Sequence, residues 1–90
     1  MGATNIELAV RQEDYDSPRA AFDALTIKAL EEYGTDPYSG TIATTDLVGK
    51  VEQPSGPAEY ENILHKLDKR ECVYFDDGEG YWVFVGWAAT

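Results

Sequence analysis

The 90-residue sequence predicts an α+β domain in which two helices pack on one face of an antiparallel sheet. Two segments carry apolar side chains at the three- and four-residue spacing of an amphipathic helix. Other segments either alternate apolar and polar residues or consist of a continuous apolar run, and both patterns are typical of strands. Turns rich in Gly and Pro separate these segments. Because none of the turns is long enough to divide the chain, we expect one domain over residues 1–90.

The first two predicted elements are a strand and a helix. Residues 5–11 alternate between apolar and polar side chains, which predicts a strand with one buried face. Ser17 and Pro18 predict a helix start, because a serine side chain caps free backbone N–H groups and proline suits the first helical position. An apolar stripe follows at helical spacing, and Gly34 is placed to end the helix in the left-handed conformation.

The middle of the chain predicts a hairpin and a second helix. Residues 41–45 and 47–52 have β-propensity and stand one residue apart, so we expect them to pair as a hairpin. Pro57 opens the second helix, which we expect to reach about Lys69. Its apolar stripe consists of Tyr60, Ile63, Leu64 and Leu67.

The C-terminal part predicts two more strands, residues 71–75 and 81–88, joined by an acidic turn at residues 76–80. The complete order is β-α-β-β-α-β-β. Its first six elements have the order of a ferredoxin-like sandwich, to which the last strand would be added. In that architecture both helices pack on one face of the sheet, and the other face is open.

Aromatic residues on the predicted open face form the candidate binding surface. Side chains of a strand alternate, so Trp82 and Phe84 share one face and Trp87 lies on the other. Tyr74 on the neighbouring strand joins Trp82 and Phe84, and we expect these three side chains to bind a partner. We expect Trp87 to be structural. The alternatives are that the rings pack under a loop or form a sheet-to-sheet homodimer.

Acidity is the one extreme of the composition. Seventeen Asp and Glu oppose seven Lys and Arg, which gives a formal net charge of -10. DNA, RNA and anionic membranes repel such a chain, so we expect no direct nucleic-acid binding and no membrane association. A basic protein partner is favoured instead. Solubility or adaptation to salt would also explain the charge.

Together these patterns favour a non-catalytic, acidic interaction module that binds a protein partner through an aromatic sheet face with an acidic rim. A sharper version is a phage-type inhibitor or nucleic-acid mimic, which would need carboxylates ordered along one face rather than scattered. The single cysteine permits no internal disulfide, which fits a reducing cytoplasm. The sequence also shows neither a signal-peptide pattern nor an apolar run of membrane-spanning length.

A second hypothesis is a small-ligand site or an enzyme. The turn after the first helix supplies Asp36, Tyr38 and Ser39, and the single histidine, His65, is of the residue type that most often serves as a general base. These four residues would have to converge on one pocket. The stretch 36–45, Asp-Pro-Tyr-Ser-Gly-Thr-Ile-Ala-Thr-Thr, resembles a segment of small uncharacterised phage or bacterial proteins. The resemblance covers about a ninth of the chain and implies no activity.

No metal or cofactor is expected. The run Asp76-Asp77-Gly78-Glu79 gathers three carboxylates, which are ligands for a hard cation, but it lacks the ligand spacing of a calcium-binding loop. A glycine-containing hairpin turn with solvated acids explains it more simply. Cys72 is expected to be a packed strand side chain rather than a reactive thiol.

Overall fold

The computed structural model describes residues 2–90, and its four strands form one mixed sheet with a helix on each face. The strands are β1 (Ala3–Arg11), β2 (Asp46–Lys50), β3 (Glu71–Asp76) and β4 (Tyr81–Ala89). The helices are α1 (Pro18–Tyr33) and α2 (Pro57–Lys66), and short 3-10 turns cover Gln12–Asp14 and Ile42–Thr44. The α+β class and the packing of two helices on a sheet are confirmed.

The helix boundaries follow from local capping chemistry. Ser17 Oγ accepts a hydrogen bond from the Ala20 N–H at 3.1 Å, and Gly34, at φ +77°, ends α1 by donating its N–H to the Leu30 carbonyl. Helix α2 begins at Pro57 as predicted but ends at Lys66 rather than near Lys69, because the next residue is already extended. Within residues 2–90, neither helix combines the length and apolar character that crossing a bilayer requires.

The strand order in the sheet is β1-β4-β3-β2, so β1 and β2 are the two edges. Strand β4 pairs antiparallel with both β1 and β3, whereas β2 pairs parallel with β3. The sheet is therefore mixed rather than antiparallel throughout, and the ferredoxin-like order is not confirmed.

The predicted hairpin is absent because the 3-10 turn Ile42–Thr44 takes the place of its first strand. The Thr44 hydroxyl donates to the Thr41 carbonyl at 2.8 Å, which is the local bonding by which threonine competes with strand pairing. The same hydroxyl oxygen accepts the Ala89 N–H at 2.9 Å and so fastens the turn to the end of β4. Residues 2–90 consequently contain four strands rather than five.

The two helices pack on opposite faces of the sheet, which corrects the prediction that both share one face. The α1 side buries Phe22, Cys72 and Phe84, and the α2 side buries residues of β3 and β4 that point the other way: Val73, Phe75 and Val85. Strands β1, β2 and β3 run in the same direction, so α1 and α2 each lie in a crossover between parallel strands. The crossover through α1 runs from the β1 edge to the β2 edge, and the crossover through α2 runs back from β2 to β3. Two crossovers of the same hand that move in opposite directions place their helices on opposite faces.

Candidate functional site

Helix α1 covers the aromatic face that was predicted to bind a partner. Phe84 has no exposed surface, and its ring centroid lies 6.0 Å from that of Phe22 and 5.8 Å from that of Tyr74. Trp82 and Tyr74 are half-buried against the same cluster. The prediction of an open aromatic face was therefore wrong. These rings fill the core beneath α1, and Phe84 is inaccessible to a partner.

Trp87 lies on the opposite face from Trp82, as strand alternation predicts. It is half-buried, and its Nε1 donates a hydrogen bond of 2.8 Å to the Leu64 carbonyl of α2. Trp87 therefore joins α2 to the sheet, while Trp82 packs on the α1 side. Each tryptophan contributes to one helix layer.

Tyr38 is exposed, and its neighbours are cations. The ring centroid lies 5.8 Å from Lys69 Nζ and 5.3 Å from the guanidinium carbon of Arg70. Asp36 Oδ1 accepts the Tyr38 N–H at 2.9 Å, and Arg70 Nη2 donates to the Pro37 carbonyl at 3.1 Å. These contacts hold the turn after α1 against the start of β3.

The enzyme hypothesis needs His65 to join Asp36, Tyr38 and Ser39, and the structure does not bring it to them. His65 is exposed on α2, whereas Asp36, Tyr38 and Ser39 lie in the turn after α1. Within residues 2–90, no hydrogen bond or ion pair links His65 to any of the other three. The geometry therefore offers this hypothesis no convergent site.

In the acidic turn between β3 and β4, the carboxylates of Asp76 and Asp77 accept hydrogen bonds from backbone N–H groups of the turn itself and of the first residue of β4. Asp76 Oδ1 accepts the Gly78 N–H at 2.8 Å, and this bond lowers the pKa of Asp76 below its usual value. Asp77 Oδ1 accepts the N–H groups of Glu79 and Tyr81 at 2.7 and 3.1 Å. In the described part of the chain, no cluster of His, Cys, Asp or Glu side chains has the arrangement of a metal site.

Cys72 is fully buried between the sheet and α1. Burial raises the pKa of its thiol to about 12, so the side chain stays protonated at neutral pH. Since the thiolate is the reactive form, Cys72 is a packing residue rather than a nucleophile.

The outer edge of β1 is an exposed backbone surface. Gly2 and Thr90 exchange both backbone hydrogen bonds, at 3.0 and 3.1 Å, and the register pairs even-numbered residues of β1 with even-numbered residues of β4. Along an antiparallel ladder, such hydrogen-bonded pairs alternate with pairs that are not bonded to each other. The backbone N–H and C=O groups of these unbonded pairs point away from the partner strand. Five exposed residues therefore direct their N–H and C=O groups outward: Ala3, Asn5, Glu7, Ala9 and Arg11.

A groove of about 440 Å³ lies between β1 and α1 beside this edge. Its walls are largely apolar, and among them Leu8 is 38% exposed and Tyr33 is 61% exposed. The apolar lining residues are Ile6, Leu8, Leu25, Ala29, Tyr33 and Ile42, and the charged ones are Glu7, Lys28 and Glu32. The edge thus combines outward backbone groups with an adjacent apolar recess.

This site was missed in the sequence because the edge position of β1 depends on which strands pair. The available signal was the pair of charges, Glu7 and Arg11, within an otherwise apolar or neutral strand, which is typical of edge strands.

Comparisons with known proteins add no information on this site. No family model, curated protein or solved structure matches the chain.

Proposed function

We propose that this chain is a non-catalytic protein-interaction module that binds an extended segment of a protein partner along the outer edge of β1. The observation that carries the proposal is the exposed edge of a nine-residue strand. A strand added there gains backbone hydrogen bonds from the outward groups, which is a common mode of peptide recognition.

The side chains around the edge define the chemistry of the bound segment. On the α1 side, the groove beside Leu8 and Tyr33 accepts apolar side chains. Glu7 and Glu32 contribute negative charge near the groove, and the chain as a whole is strongly acidic. A segment that places apolar side chains in the groove and a basic side chain opposite Glu7 therefore complements this edge.

Two predictions from the composition belong to the same proposal. We place the protein in the cytoplasm because its single, buried cysteine requires no oxidising compartment. We also expect negligible binding to duplex DNA or RNA at physiological salt, and a salt-sensitive gel shift would refute that expectation. The nucleic-acid mimic is the weaker version, because exposed carboxylates lie on both helices and thus on both sides of the sheet.

The proposal is tested by blocking the edge without disturbing the fold. The Ala9 N–H points away from β4, so Ala9→Pro keeps the β1–β4 ladder and prevents strand addition. Ala9→Gly is the matched control because it retains the N–H.

A displayed library of short random peptides selected on the wild-type chain supplies the probe. We expect the selected peptides to carry apolar residues at alternate positions and at least one basic residue between them, to bind Ala9→Gly, and to lose binding to Ala9→Pro. They should also shift the amide NMR signals of odd-numbered β1 residues. Equal binding to Ala9→Pro, with signals shifting elsewhere, would refute the proposal.

A further inference from the structure

We infer that the segment bound at the β1 edge is β1 of a second copy of this chain, paired antiparallel about a two-fold axis through Ala9. The inference rests on the proposed function, since it names the partner of the same edge. It would join two four-stranded sheets into one continuous sheet.

Strand β1 is complementary to itself in this register. Glu7 and Arg11 lie on the α2 side, equally far from Ala9, and Leu8 and Val10 lie on the α1 side. An axis through Ala9 therefore places Glu7 opposite Arg11 of the second copy, and Leu8 opposite Val10 of the second copy, each twice. Opposite charges and apolar pairs directly across antiparallel strands both stabilise the pairing.

Neighbouring registers lack this match. An axis through Glu7 would bring the two Glu7 carboxylates opposite each other, and like charges in that position repel. An axis through Leu8 would place Glu7 opposite Ala9 of the second copy and leave no directly opposed ion pair. The charge pattern of β1 therefore selects the register centred on Ala9.

Most of the side chains that form these pairs are accessible. Glu7, Leu8 and Ala9 are exposed, the Arg11 side chain is 60% exposed although it also pairs with Glu13, and Val10 is half-buried against the α1-side core. Two chains of net charge -10 repel at long range. At physiological ionic strength the Debye length is about 8 Å, so the charges that meet across the contact dominate the interaction.

Charge reversal tests the inference by sedimentation velocity over a concentration series at physiological ionic strength. We expect the wild-type chain to associate as its concentration rises. Glu7→Arg and Arg11→Glu each create like-charge pairs, and each should raise the dissociation constant about tenfold, which corresponds to about 1.4 kcal/mol. The double variant Glu7→Arg/Arg11→Glu should restore association.

The control for lost intrachain contacts is Tyr60→Phe. This change removes the hydroxyl whose pKa the nearby Glu7 carboxylate helps to raise, and it leaves every charge in place, so association should stay at the wild-type level. Circular dichroism on each variant establishes that the fold is retained.

Disulfide trapping tests the register. In a Cys72→Ala background, Ala9→Cys places two thiols across the two-fold axis, where the Cα separation of about 5.5 Å in a hydrogen-bonded pair suits a disulfide. Its oxidation to a covalent dimer should be faster than that of Leu8→Cys, and faster than that of Val48→Cys on the exposed β2 edge.

A wild-type chain that is monomeric at every concentration would overturn the inference, as would a double variant that fails to restore association. Leu8→Cys or Val48→Cys oxidising as fast as Ala9→Cys would also overturn it. If self-association is absent but selected peptides still bind the edge and Ala9→Pro abolishes that binding, the proposed function stands and only the identity of the partner is wrong.

Discussion

The two edges of the sheet are built in opposite ways. Strand β2 has five residues, and its pairing with β3 shifts between Leu47 and Gly49. Strand β1 has nine residues and pairs with β4 without a break in register. Both strands carry two exposed charges, so length and regularity distinguish them: short and irregular edges resist the addition of further strands, whereas long and regular edges accept them. The comparison shows that this fold protects one edge and leaves the other available.

The available edge lies next to a well-packed interior. Leu8 pairs directly with Phe84 across the β1–β4 ladder, yet Leu8 is 38% exposed and Phe84 is fully buried. One step across the sheet therefore separates a surface residue from the centre of the core. Stability and binding should therefore respond to different mutations.

The largest effect should come from Phe84→Ala. Phe84 contacts Phe22 and Tyr74 and has no exposed surface, so its removal leaves a cavity and should lower the free energy of unfolding by about 3–5 kcal/mol. Leu8→Ala, the matched change across the ladder, should cost less than about 1.5 kcal/mol because Leu8 is partly solvated. Urea unfolding measures both. Equal losses would mean that the edge is as much a part of the core as β4.

Gly86→Ala should cause the next largest loss of stability. Its control is Gly49→Ala on the β2 edge, which should stabilise the fold. A Cβ at Gly86 would lie 2.2 Å from the Glu71 carbonyl oxygen and 2.9 Å from the Cys72 Cα, so β3 must shift, at a cost of about 1–3 kcal/mol or more. Gly49→Ala meets nothing within 4 Å, and its backbone is not left-handed, so we expect a gain of about 0.4–1 kcal/mol. Thermal or urea unfolding of the two variants decides this, and a stable Gly86→Ala would contradict the close β3–β4 packing.

Much of this architecture follows from local patterns, and one short segment decides the rest. The caps of α1 and the alternation of β1 were predictable because they depend on neighbouring residues. Residues 41–45 look like a strand, but threonine hydroxyls bond to their own backbone, and the segment turns instead. A strand there would have reversed the chain before α2. Without it, β2 runs parallel to β1 and α2 crosses on the other face.

The candidate site likewise depends on contacts between residues far apart in the chain. Tyr74, Trp82 and Phe84 share a face as predicted, but whether that face is open depends on where α1 and α2 lie. The exposed edge of β1 likewise follows from the strand order and not from any local pattern. A single sequence carries little information about either, because both are set by contacts between residues far apart in the chain.

A smaller effect is expected from Trp87→Phe, which tests the attachment of α2. The change keeps the aromatic packing and removes the Nε1 hydrogen bond to Leu64, at a cost of about 0.5–1.5 kcal/mol. Amide exchange should accelerate in α2 and stay unchanged along β1. Faster exchange along β1 would show that the edge strand depends on the α2 layer.

The smallest effect concerns alkaline pH. Burial raises the pKa of Cys72 from 9.0 to about 12, and burial, followed by the Glu7 carboxylate, raises that of Tyr60 from 10.0 to about 12. Because the unfolded chain loses these protons first, their contribution is complete below pH 9 and is lost as the pH rises toward 12. Cys72→Ala should flatten the decline in the urea midpoint over this range. An unchanged pH dependence would mean that the thiol contributes nothing to it.

Amide hydrogen exchange along β1, measured by NMR, tests the open edge most directly. In dilute solution we expect an alternating pattern, in which odd-numbered amides exchange fast and even-numbered amides, bonded to β4, exchange slowly. At high concentration, pairing about Ala9 should protect the amides of Glu7, Ala9 and Arg11 and leave that of Asn5 fast. Odd-numbered amides as protected as their even-numbered neighbours in the dilute monomer would show that the edge is covered, and would contradict the account.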